Sequence, residues 1–374
     1  MGGAPSAEGP PANFFAQGLP EALDWRTLMK LVFQPSHEAM LMFTSERERP
    51  GQCCPRKVVL TLRGNEVAAQ PVDGDGAPPT RRRSPGVVSQ KGNKAQPNQD
   101  CAFYFDFKDS DGAKIWCACV MDGHGPLGHE MSTLAMQWLP LLILREPLLA
   151  SEPGRLVPLN PQTVFSAIEA AFEKMGTLMQ KASSSGWGPR SYSGATCTFA
   201  LGARGLLHTA NIGDSRLVLG TLSSSKSVDY RLLTRDHKPE DPDERVRIEA
   251  QGGIVARQRV YLDEWPYVGL NMSRSLGDAK LHQVGVSDVP DVSTVFLDAV
   301  KGEEEHKPQF LVVASDGVGD FTTAEEAATL VGRCLRKGQG PQTAAEMLVR
   351  HAQEAWQAET PELDDITAIV VDID

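Results

Sequence analysis

Four apolar runs along the chain each border an aspartate, and they are the main structural signal in the sequence. Short apolar runs bounded by turn-forming residues are typical of buried strands. If these strands lie together in one sheet or sandwich, the four carboxylates meet at one edge. The aspartates are Asp122 after residues 115–121, Asp316 after residues 310–314, Asp100 before residues 101–105, and Asp364 before residues 366–371.

Three further apolar segments follow one another with glycine-containing turns between them. They span residues 195–201, 206–211 and 216–220. Close succession with short turns is what β-hairpins require, so these segments predict antiparallel pairing. Strand-like and helix-like segments come in blocks rather than in strict alternation, which also favours antiparallel sheets.

Helical periodicity appears in four places. Between residues 162 and 181 the apolar positions recur every three or four residues, which predicts a helix that presents one apolar face to a sheet. Further helices are predicted over residues 323–336, 342–357 and 241–251, the last ended by Gly252-Gly253. The predicted fold class is α+β: a β-sandwich of two antiparallel sheets flanked by helices on both sides, in the order α-β-β-α.

The chain divides near residue 86. Residues 1–86 are predicted to be an N-terminal extension with a flexible tail, a partly apolar segment, a strand over residues 57–62, and a linker rich in Gly, Pro and Arg over residues 64–86. The basic run at Arg81–Arg83 is interpreted as solvated charge, with a kinase site or docking patch as the alternative. Residues 87–374 are predicted to form the catalytic domain.

Charge and cysteine content narrow the class of protein. The formal net charge is -11, which argues against nonspecific nucleic-acid binding and means that an anionic substrate needs a local positive site. The seven cysteines are scattered through apolar runs with no disulfide or zinc spacing. We expect a reduced, monomeric protein of the cytoplasm or nucleus.

No secretory signal or membrane span is evident in the sequence. The first six residues nevertheless fit the permissive pattern for N-myristoylation at Gly2, with Ser6 at the required position. If Gly2 is lipidated, a weak and reversible membrane contact is expected.

Residues 123–128 match the dinucleotide-binding pattern G-x-G-x-x-G. A pyrophosphate cradle needs free backbone N–H groups and no adjacent negative charge. Here Pro126 lacks that donor, and Asp122 comes directly before the loop. No run of alternating strands and helices follows. A dinucleotide-binding fold is therefore disfavoured.

Clustered carboxylates need positive charge between them. The mutual repulsion of four aspartates at one sheet edge would be costly unless hard cations lie among them. The pattern therefore indicates a metal-dependent hydrolase. An isolated aspartate before glycine is usually a turn former, so this interpretation depends on the full set.

At this point the sequence resembles the metal-dependent protein phosphatases of the type 2C class, which act on phosphoserine and phosphothreonine. The resemblance extends over residues 87–374 and rests on eight motifs in the family order. They are residues 98–100 (NQD), 122–125 (DGHG), 193–196 (SGAT), 213–216 (GDSR), 236–239 (DHKP), 273–278 (SRSLGD), 314–317 (ASDG) and 364–367 (DDIT).

The resemblance implies a site with two Mg or Mn ions and a weaker third. A water between the two ions would be activated to attack phosphorus. His124 would be the general acid, with His208 as the alternative histidine. Residues 251–269 would form a flap beside the site. The implied ligands of the two main ions are Asp100, Asp122, the Gly123 carbonyl, Asp316 and Asp364, and those of the third are Asp214, Asp316 and Asp320.

The sequence departs from the family in two places. In many members an arginine shortly before the first aspartate binds the substrate phosphate. In this chain the basic residues within 91–97 are both lysines, and no arginine is present there. Lys94 is the candidate replacement, and a solvated loop lysine is the alternative. A bulky Trp usually stands where this chain has Gly319, so looser packing beside Asp320 is expected.

Two other functions remain alternatives. A catalytically weak relative could bind phosphoproteins as a scaffold, although none of the four core aspartates is missing. A dinuclear hydrolase acting on nucleic acid is disfavoured by the acidic composition. The expected partners are phosphoprotein substrates in signalling, with no nucleic acid and no transmembrane segment.

Overall fold

The computed structural model describes most of the chain from residue 85 onward and three segments before it. The described residues are 39–45, 56–63, 66–72, 85–108, 113–145, 150–152, 155–156, 160–184, 189–223, 227–263, 265–297 and 307–373. The predicted tail, most of the partly apolar segment and the basic run at Arg81–Arg83 lie outside these residues.

Within the described residues the chain forms strands and helices with the following bounds. The strands are β1 (Ala39–Ser45), β2 (Arg56–Arg63), β3 (Glu66–Val72), β4 (Gly86–Gln90), β5 (Asp100–Lys108), β6 (Lys114–His124), β7 (Ala150–Glu152), β8 (Arg155–Leu156), β9 (Gly194–Ala195), β10 (Cys197–Ala203), β11 (Leu206–Ile212), β12 (Arg216–Leu222), β13 (Val228–Leu232), β14 (Ile254–Ala256), β15 (Arg259–Leu262), β16 (Trp265–Leu270), β17 (Leu276–Gly277), β18 (Asp291–Phe296), β19 (Gln309–Ala314) and β20 (Ile366–Asp372). The helices are α1 (Gly128–Arg145), α2 (Pro161–Ser184), α3 (Pro242–Ala250), α4 (Ala279–His282), α5 (Asp316–Gly319), α6 (Ala324–Arg336) and α7 (Pro341–Glu359).

Two large antiparallel sheets form the centre of the fold. In the first, the strand order is β18-β11-β10-β6-β5-β1-β2-β3, and β9 joins β6 to β17. In the second, the order is β13-β12-β19-β20-β4. The strand pairs in both are antiparallel, as the hairpin pattern predicts.

The side chains of β5 show how the layers are built. Because successive residues of a strand point to opposite faces, Ala102 and Tyr104 lie in the core between the two sheets. Cys101, Phe103 and Phe105 lie in the outer core beneath α1 and α2. The outer face of the second sheet is covered in the same way by α6 and α7. The α-β-β-α sandwich predicted from the sequence is confirmed.

The predicted helices are observed with small differences at their ends. Helix α2 extends beyond the predicted range 162–181 by one residue at its start and three at its end. Helix α6 begins after Thr323, which caps it: the Thr323 hydroxyl accepts from Glu326 N, and the Glu326 carboxylate accepts from Thr323 N. None of the described helices is both long and apolar enough to cross a membrane.

The N-terminal extension contributes strands to the first sheet. Strand β1 pairs with β5, with Met40 opposite Asp106, and β2 and β3 continue the sheet outward. Residues 66–72, in the segment predicted as linker, are therefore strand rather than loop. Pro71 is tolerated there because β3 pairs on one side only among the described strands. The domain boundary at residue 86 stays a prediction.

The described cysteines are free thiols in the core. Cys101, Cys117, Cys119, Cys197 and Cys334 are all buried. Burial raises the pKa of Cys117 and of Cys119 well above the usual thiol value, so both stay protonated. These cysteines act as small core residues, as their positions in apolar runs predict.

Candidate active site

Strand ends from both sheets bring the aspartates to one end of the sandwich. Asp100, at the start of β5, lies directly opposite Asp122, near the end of β6. In the second sheet β19 ends two residues before Asp316, and the paired strand β20 begins two residues after Asp364. The Ser315 hydroxyl links the sheets by donating to Asp100 Oδ2 at 2.8 Å.

Burial and mutual repulsion raise the pKa values of Asp100, Asp122 and Asp316. Burial, and then the charge of Asp316, raise the pKa of Asp122 well above its usual value. Burial, and then the charge of Asp214, raise the pKa of Asp316 to about 7. Asp122 and Asp316 also hydrogen-bond to each other. The cluster therefore cannot carry its full negative charge without positive partners.

Two lysines supply part of that positive charge. The Lys94 ammonium donates to Asp364 Oδ1 at 2.6 Å, and the Lys238 ammonium donates to Asp214 Oδ2 at 2.5 Å. Burial disfavours the charge on Lys94, but Asp364 raises its pKa above the usual value. Lys94 is thus next to the carboxylate cluster, and its nearest anion is a carboxylate of that cluster.

The donor set fits hard divalent cations by its chemistry. Among the described residues, no group of three or more His, Cys, Asp or Glu side chains is placed so that it could hold a metal ion. The carboxylates instead face one another and the two lysines. However, Asp100 Oδ1 and Asp214 Oδ1 are buried with no hydrogen-bond partner. Buried oxygens without donors, on oxygen-only side chains, are what Mg²⁺ or Mn²⁺ would satisfy.

Gly123 and Asp320 lie beside this cluster. A side chain at Gly123 would collide with the backbone oxygens of Gly128 and Gln99, at 2.4 and 2.5 Å, so only glycine fits there. Asp320 is exposed just after α5, and its N–H donates to the Asp316 carbonyl at 2.8 Å. Both positions agree with a role at the cluster, and both roles stay predictions.

Arg216 fills the space beside Gly319. Its guanidinium donates to the Gly319 carbonyl at 2.7 Å and to both oxygens of Asp236, at 3.1 and 2.8 Å. A Cβ at residue 319 would lie 3.0 Å from Arg216 Nη1. The absence of the usual Trp predicts looser packing beside Asp320. In the structure the Arg216 side chain occupies the space beside Gly319.

His124 pairs with Asp278. Its Nε2 lies 2.5 Å from Asp278 Oδ2, while its Nδ1 is buried with no partner. Burial alone would lower the pKa of His124, but the Asp278 carboxylate raises it above the usual value. His208 is different: it hydrogen-bonds to Thr294 on β18, and burial lowers its pKa to about 4. His208 is a core residue.

Asp365 and Asp278 lie in the motifs at residues 364–367 and 273–278, but the sequence assigns neither a role. Asp365 accepts from Gly92 N at 2.8 Å and from Gln99 N at 2.7 Å, so it holds the loop that carries Lys94. Asp365 could have been singled out by its position beside Asp364. The motif that ends at Asp278 is equally consistent with a turn-forming aspartate.

The flap predicted over residues 251–269 is a three-stranded sheet of β14, β15 and β16. Its first hairpin turns at Arg257 and Gln258, which both have positive φ angles, 50° and 60°. This is the backbone of a two-residue hairpin turn, built without the usual Asn or Gly. The flap packs on α3 and α4 through Ile248, Val260 and Leu281.

A buried ion-pair network holds the loop of residues 273–278. Glu244 on α3 is fully buried. It accepts from Arg274 Nη2 at 2.6 Å, from Arg247 Nη2 at 2.6 Å and from the Ser273 hydroxyl at 2.6 Å. Burial would raise the pKa of Glu244, but these donors hold it far below its usual value. Through these contacts Ser273 and Arg274 anchor their loop to α3.

Glu244→Gln is expected to destabilise the protein by about 3 kcal/mol, because it leaves a buried arginine without its main counter-ion. The pKa of Glu244 is lowered on folding, so its contribution is present above the usual value of 4.5 and is lost as pH falls below it. Urea denaturation at several pH values measures both effects. The control is Glu249→Gln on the exposed side of α3. Equal destabilisation by the two variants would contradict the network's role. So would a difference in unfolding free energy between wild type and Glu244→Gln that persists on acidification.

The chain is similar in sequence to a known family of proteins. The family model "Protein phosphatase 2C" matches residues 85–360. "Probable protein phosphatase 2C 12" of Oryza sativa subsp. japonica is 32% identical over 328 residues, covering 77% of this chain and 80% of its own. "Probable protein phosphatase 2C 72" of Arabidopsis thaliana is 32% identical over 294 residues, covering 76% and 83%.

The fold is similar to that of a solved structure as well. The serine-threonine phosphatase 2C of Toxoplasma gondii superposes with a TM-score of 0.61 at 20% identity, covering 77% of this chain and 94% of that one. A family model that matches residues 85–360, relatives above 30% identity and the shared sandwich lead to one conclusion. The chain belongs to the protein phosphatase 2C family.

Proposed function

We propose that this protein hydrolyses phosphoserine and phosphothreonine in proteins, using water activated between two Mg²⁺ or Mn²⁺ ions. Family membership makes the chain a protein serine/threonine phosphatase. The observation that carries the mechanism is the meeting of Asp100, Asp122, Asp316 and Asp364 at one end of the sandwich. The raised pKa values of Asp100, Asp122 and Asp316 mark a site arranged for positive charge rather than for stability.

The residues divide into three roles. Asp100, Asp122, the Gly123 carbonyl, Asp316 and Asp364 would hold the two cations, and Asp214 with Asp316 and Asp320 would hold a weaker third. When bound, such cations acidify a water and offset the charge of the phosphoryl oxygens. His124 would donate a proton to the departing serine or threonine oxygen.

Substrate class is tested with three compounds in Mn²⁺ or Mg²⁺, by measuring phosphate release from two phosphopeptides and strand cleavage of an oligonucleotide. We expect turnover of phosphoserine and phosphothreonine peptides and none of a phosphodiester oligonucleotide, since the net charge of -11 disfavours binding of nucleic acid. Peptide binding without phosphate release would support the scaffold alternative. Faster cleavage of the oligonucleotide would support a nuclease.

Lys94 is proposed as the ligand of the substrate phosphate. Its ammonium already lies in the carboxylate cluster, ion-paired to Asp364, so cation binding at Asp364 would compete with that pair and release the ammonium. A lysine acts as a point charge rather than a two-pronged donor, so it would hold phosphate less rigidly than the arginine of many relatives.

Lys94→Ala and Lys94→Met are therefore expected to lower kcat/KM for a phosphothreonine peptide by about tenfold to a hundredfold, the range of one hydrogen bond to a charged group. Equal losses in both variants would show that the charge rather than the stem contacts substrate. The control is Lys114→Met at the other end of β6 from Asp122, where the Lys114 ammonium pairs with Asp106 at 3.1 Å. Unchanged kcat/KM in both Lys94 variants would exclude Lys94, and Lys91, Arg257 and Arg259 would be tested next.

We further propose that the protein works as a monomer on signalling phosphoproteins of the cytoplasm or nucleus. Lipidation at Gly2, which lies outside the described residues, would add a reversible membrane contact. Intact-mass measurement on protein from eukaryotic cells tests that modification. A mass without the lipid would exclude it, and size-exclusion chromatography with light scattering tests the monomer.

A further inference from the structure

Asp278 is held in a conformation that an aspartate seldom adopts. Its φ angle is +44°, in the left-handed region, and its side chain is 1% exposed. Left-handed backbone at a residue with a side chain is strained and persists only where surrounding contacts impose it. A turn of this kind would accept glycine more easily, so the presence of a carboxylate requires a reason.

Neighbouring elements impose this conformation through hydrogen bonds on either side of Asp278. The Asp278 N–H donates to the Ser193 carbonyl at 3.0 Å. The Ala279 N–H donates to the Ser183 hydroxyl at 3.0 Å, and the Gln180 amide donates to the Gly277 carbonyl at 2.7 Å. Three consecutive residues are thus fixed by α2 and by the segment before β9.

The same arrangement clears a path from the Asp278 carboxylate to His124. Gly194 lies opposite His124 in the pairing of β6 with β9. A Cβ at Gly194 would stand 2.1 Å from Asp278 Oδ2, so the missing side chain leaves room for the carboxylate. Through that gap Oδ2 reaches His124 Nε2 at 2.5 Å, and the Ser275 hydroxyl donates to the same oxygen at 2.6 Å.

We propose that Asp278 is the positioning residue of the general acid: it holds His124 by Nε2 so that Nδ1 presents the proton to the substrate. Nδ1 is the ring nitrogen left buried without a protein partner. A carboxylate bound to one imidazole nitrogen fixes the ring's orientation and leaves the other nitrogen for proton transfer. This inference rests on the proposed function, since it needs a leaving group that takes up a proton.

The proton balance of the step is complete. The bond from phosphorus to the serine or threonine oxygen breaks, its electron pair stays on that oxygen, and the oxygen takes the proton from His124 Nδ1. Water supplies the new bond to phosphorus and the proton that afterwards restores His124. Asp278 stays ionised throughout and gains no proton.

Asp278→Asn tests the proposal because asparagine keeps the shape and tolerates the left-handed backbone. We expect kcat for a phosphothreonine peptide to fall by about tenfold to a thousandfold, within what a general acid supplies, and kcat for 4-nitrophenyl phosphate to fall by less than about threefold. The aryl phosphate separates loss of the general acid from a general loss of activity, because its leaving group departs without a proton. Asp288→Asn, whose carboxylate lies against Gly176 on α2, is the matched control and should change neither rate.

The double variant His124→Ala with Asp278→Asn distinguishes positioning from general support. If Asp278 acts through His124, adding Asp278→Asn to His124→Ala should cause no further loss on the peptide. Equal losses on both substrates, or additive losses in the double variant, would overturn the proposal while the wild type remained a phosphatase. A wild type without activity on phosphopeptides would instead refute the proposed function. Matching melting curves identify variants that are folded.

Discussion

Asp122→Ala and Asp316→Ala are expected to lower kcat for a phosphothreonine peptide at least about a thousandfold, with no recovery in excess Mn²⁺ or Mg²⁺, because cation charge contributes several kcal/mol to such transition states. The two carboxyl groups hydrogen-bond to each other within the cluster. The pKa of each is raised by burial and by the charges of neighbouring carboxylates. Phosphate release over a wide range of metal concentrations measures the effect.

The matched control is Asp229→Ala, which removes an exposed carboxylate from β13. It should leave activity within about twofold of wild type, since surface substitutions away from special features change little. Asp122→Asn supplies a readout other than activity: by relieving repulsion, it should raise the melting temperature of the metal-free protein. Metal-rescued activity in the alanine variants, or a lower melting temperature for Asp122→Asn, would contradict the role of the cluster.

His124→Ala is expected to slow phosphoserine hydrolysis by about a hundredfold to ten-thousandfold, the usual contribution of a general acid. An aryl phosphate such as 4-nitrophenyl phosphate should lose far less, because its leaving group needs no proton. The pairing with Asp278 and the unpartnered Nδ1 give His124 the geometry for this role. Rates on the two substrates, measured side by side at saturating metal, provide the contrast.

His208→Ala is the control on histidine loss in general. His208 lies in β11 and bonds to Thr294, so its removal should affect stability more than the ratio of the two rates. If His124→Ala slows both substrates equally, His124 is not the acid. If His208→Ala changes the ratio instead, the assignment of the two histidines is reversed.

The architecture followed from the sequence because its signals are local. Strands such as β5 and β6 are short apolar runs with an aspartate at one end, and α2 carries an apolar face at helical spacing. Even the convergence of Asp100 with Asp122 follows once the two strands are paired antiparallel. The N-terminal strand β3 was not predicted, because its sequence includes Pro71 and small residues that are typical of loops.

Contacts between distant residues could not be predicted from the sequence. His124 and Asp278 are 154 positions apart, and Lys94 and Asp364 are 270 apart. Neither contact follows from the periodicity of the sequence, because each joins two separate parts of the chain whose relative position is set by tertiary packing. The left-handed backbone of Asp278 is likewise imposed by Ser183, Gln180 and Ser193 rather than by its own preference. Sequence patterns locate the carboxylates, whereas tertiary contacts decide which groups they touch.

The most direct test of the central claim is to titrate Mn²⁺ into metal-free protein while following melting temperature and phosphate release from one phosphothreonine peptide. Cations that bind the folded state stabilise it by mass action. Without metal, no turnover is expected. In wild type, melting temperature and phosphate release should rise over the same range of Mn²⁺. In Asp316→Ala, neither the melting temperature nor phosphate release should rise. Turnover by the metal-free protein, or a melting temperature that stays constant while activity appears, would contradict the account.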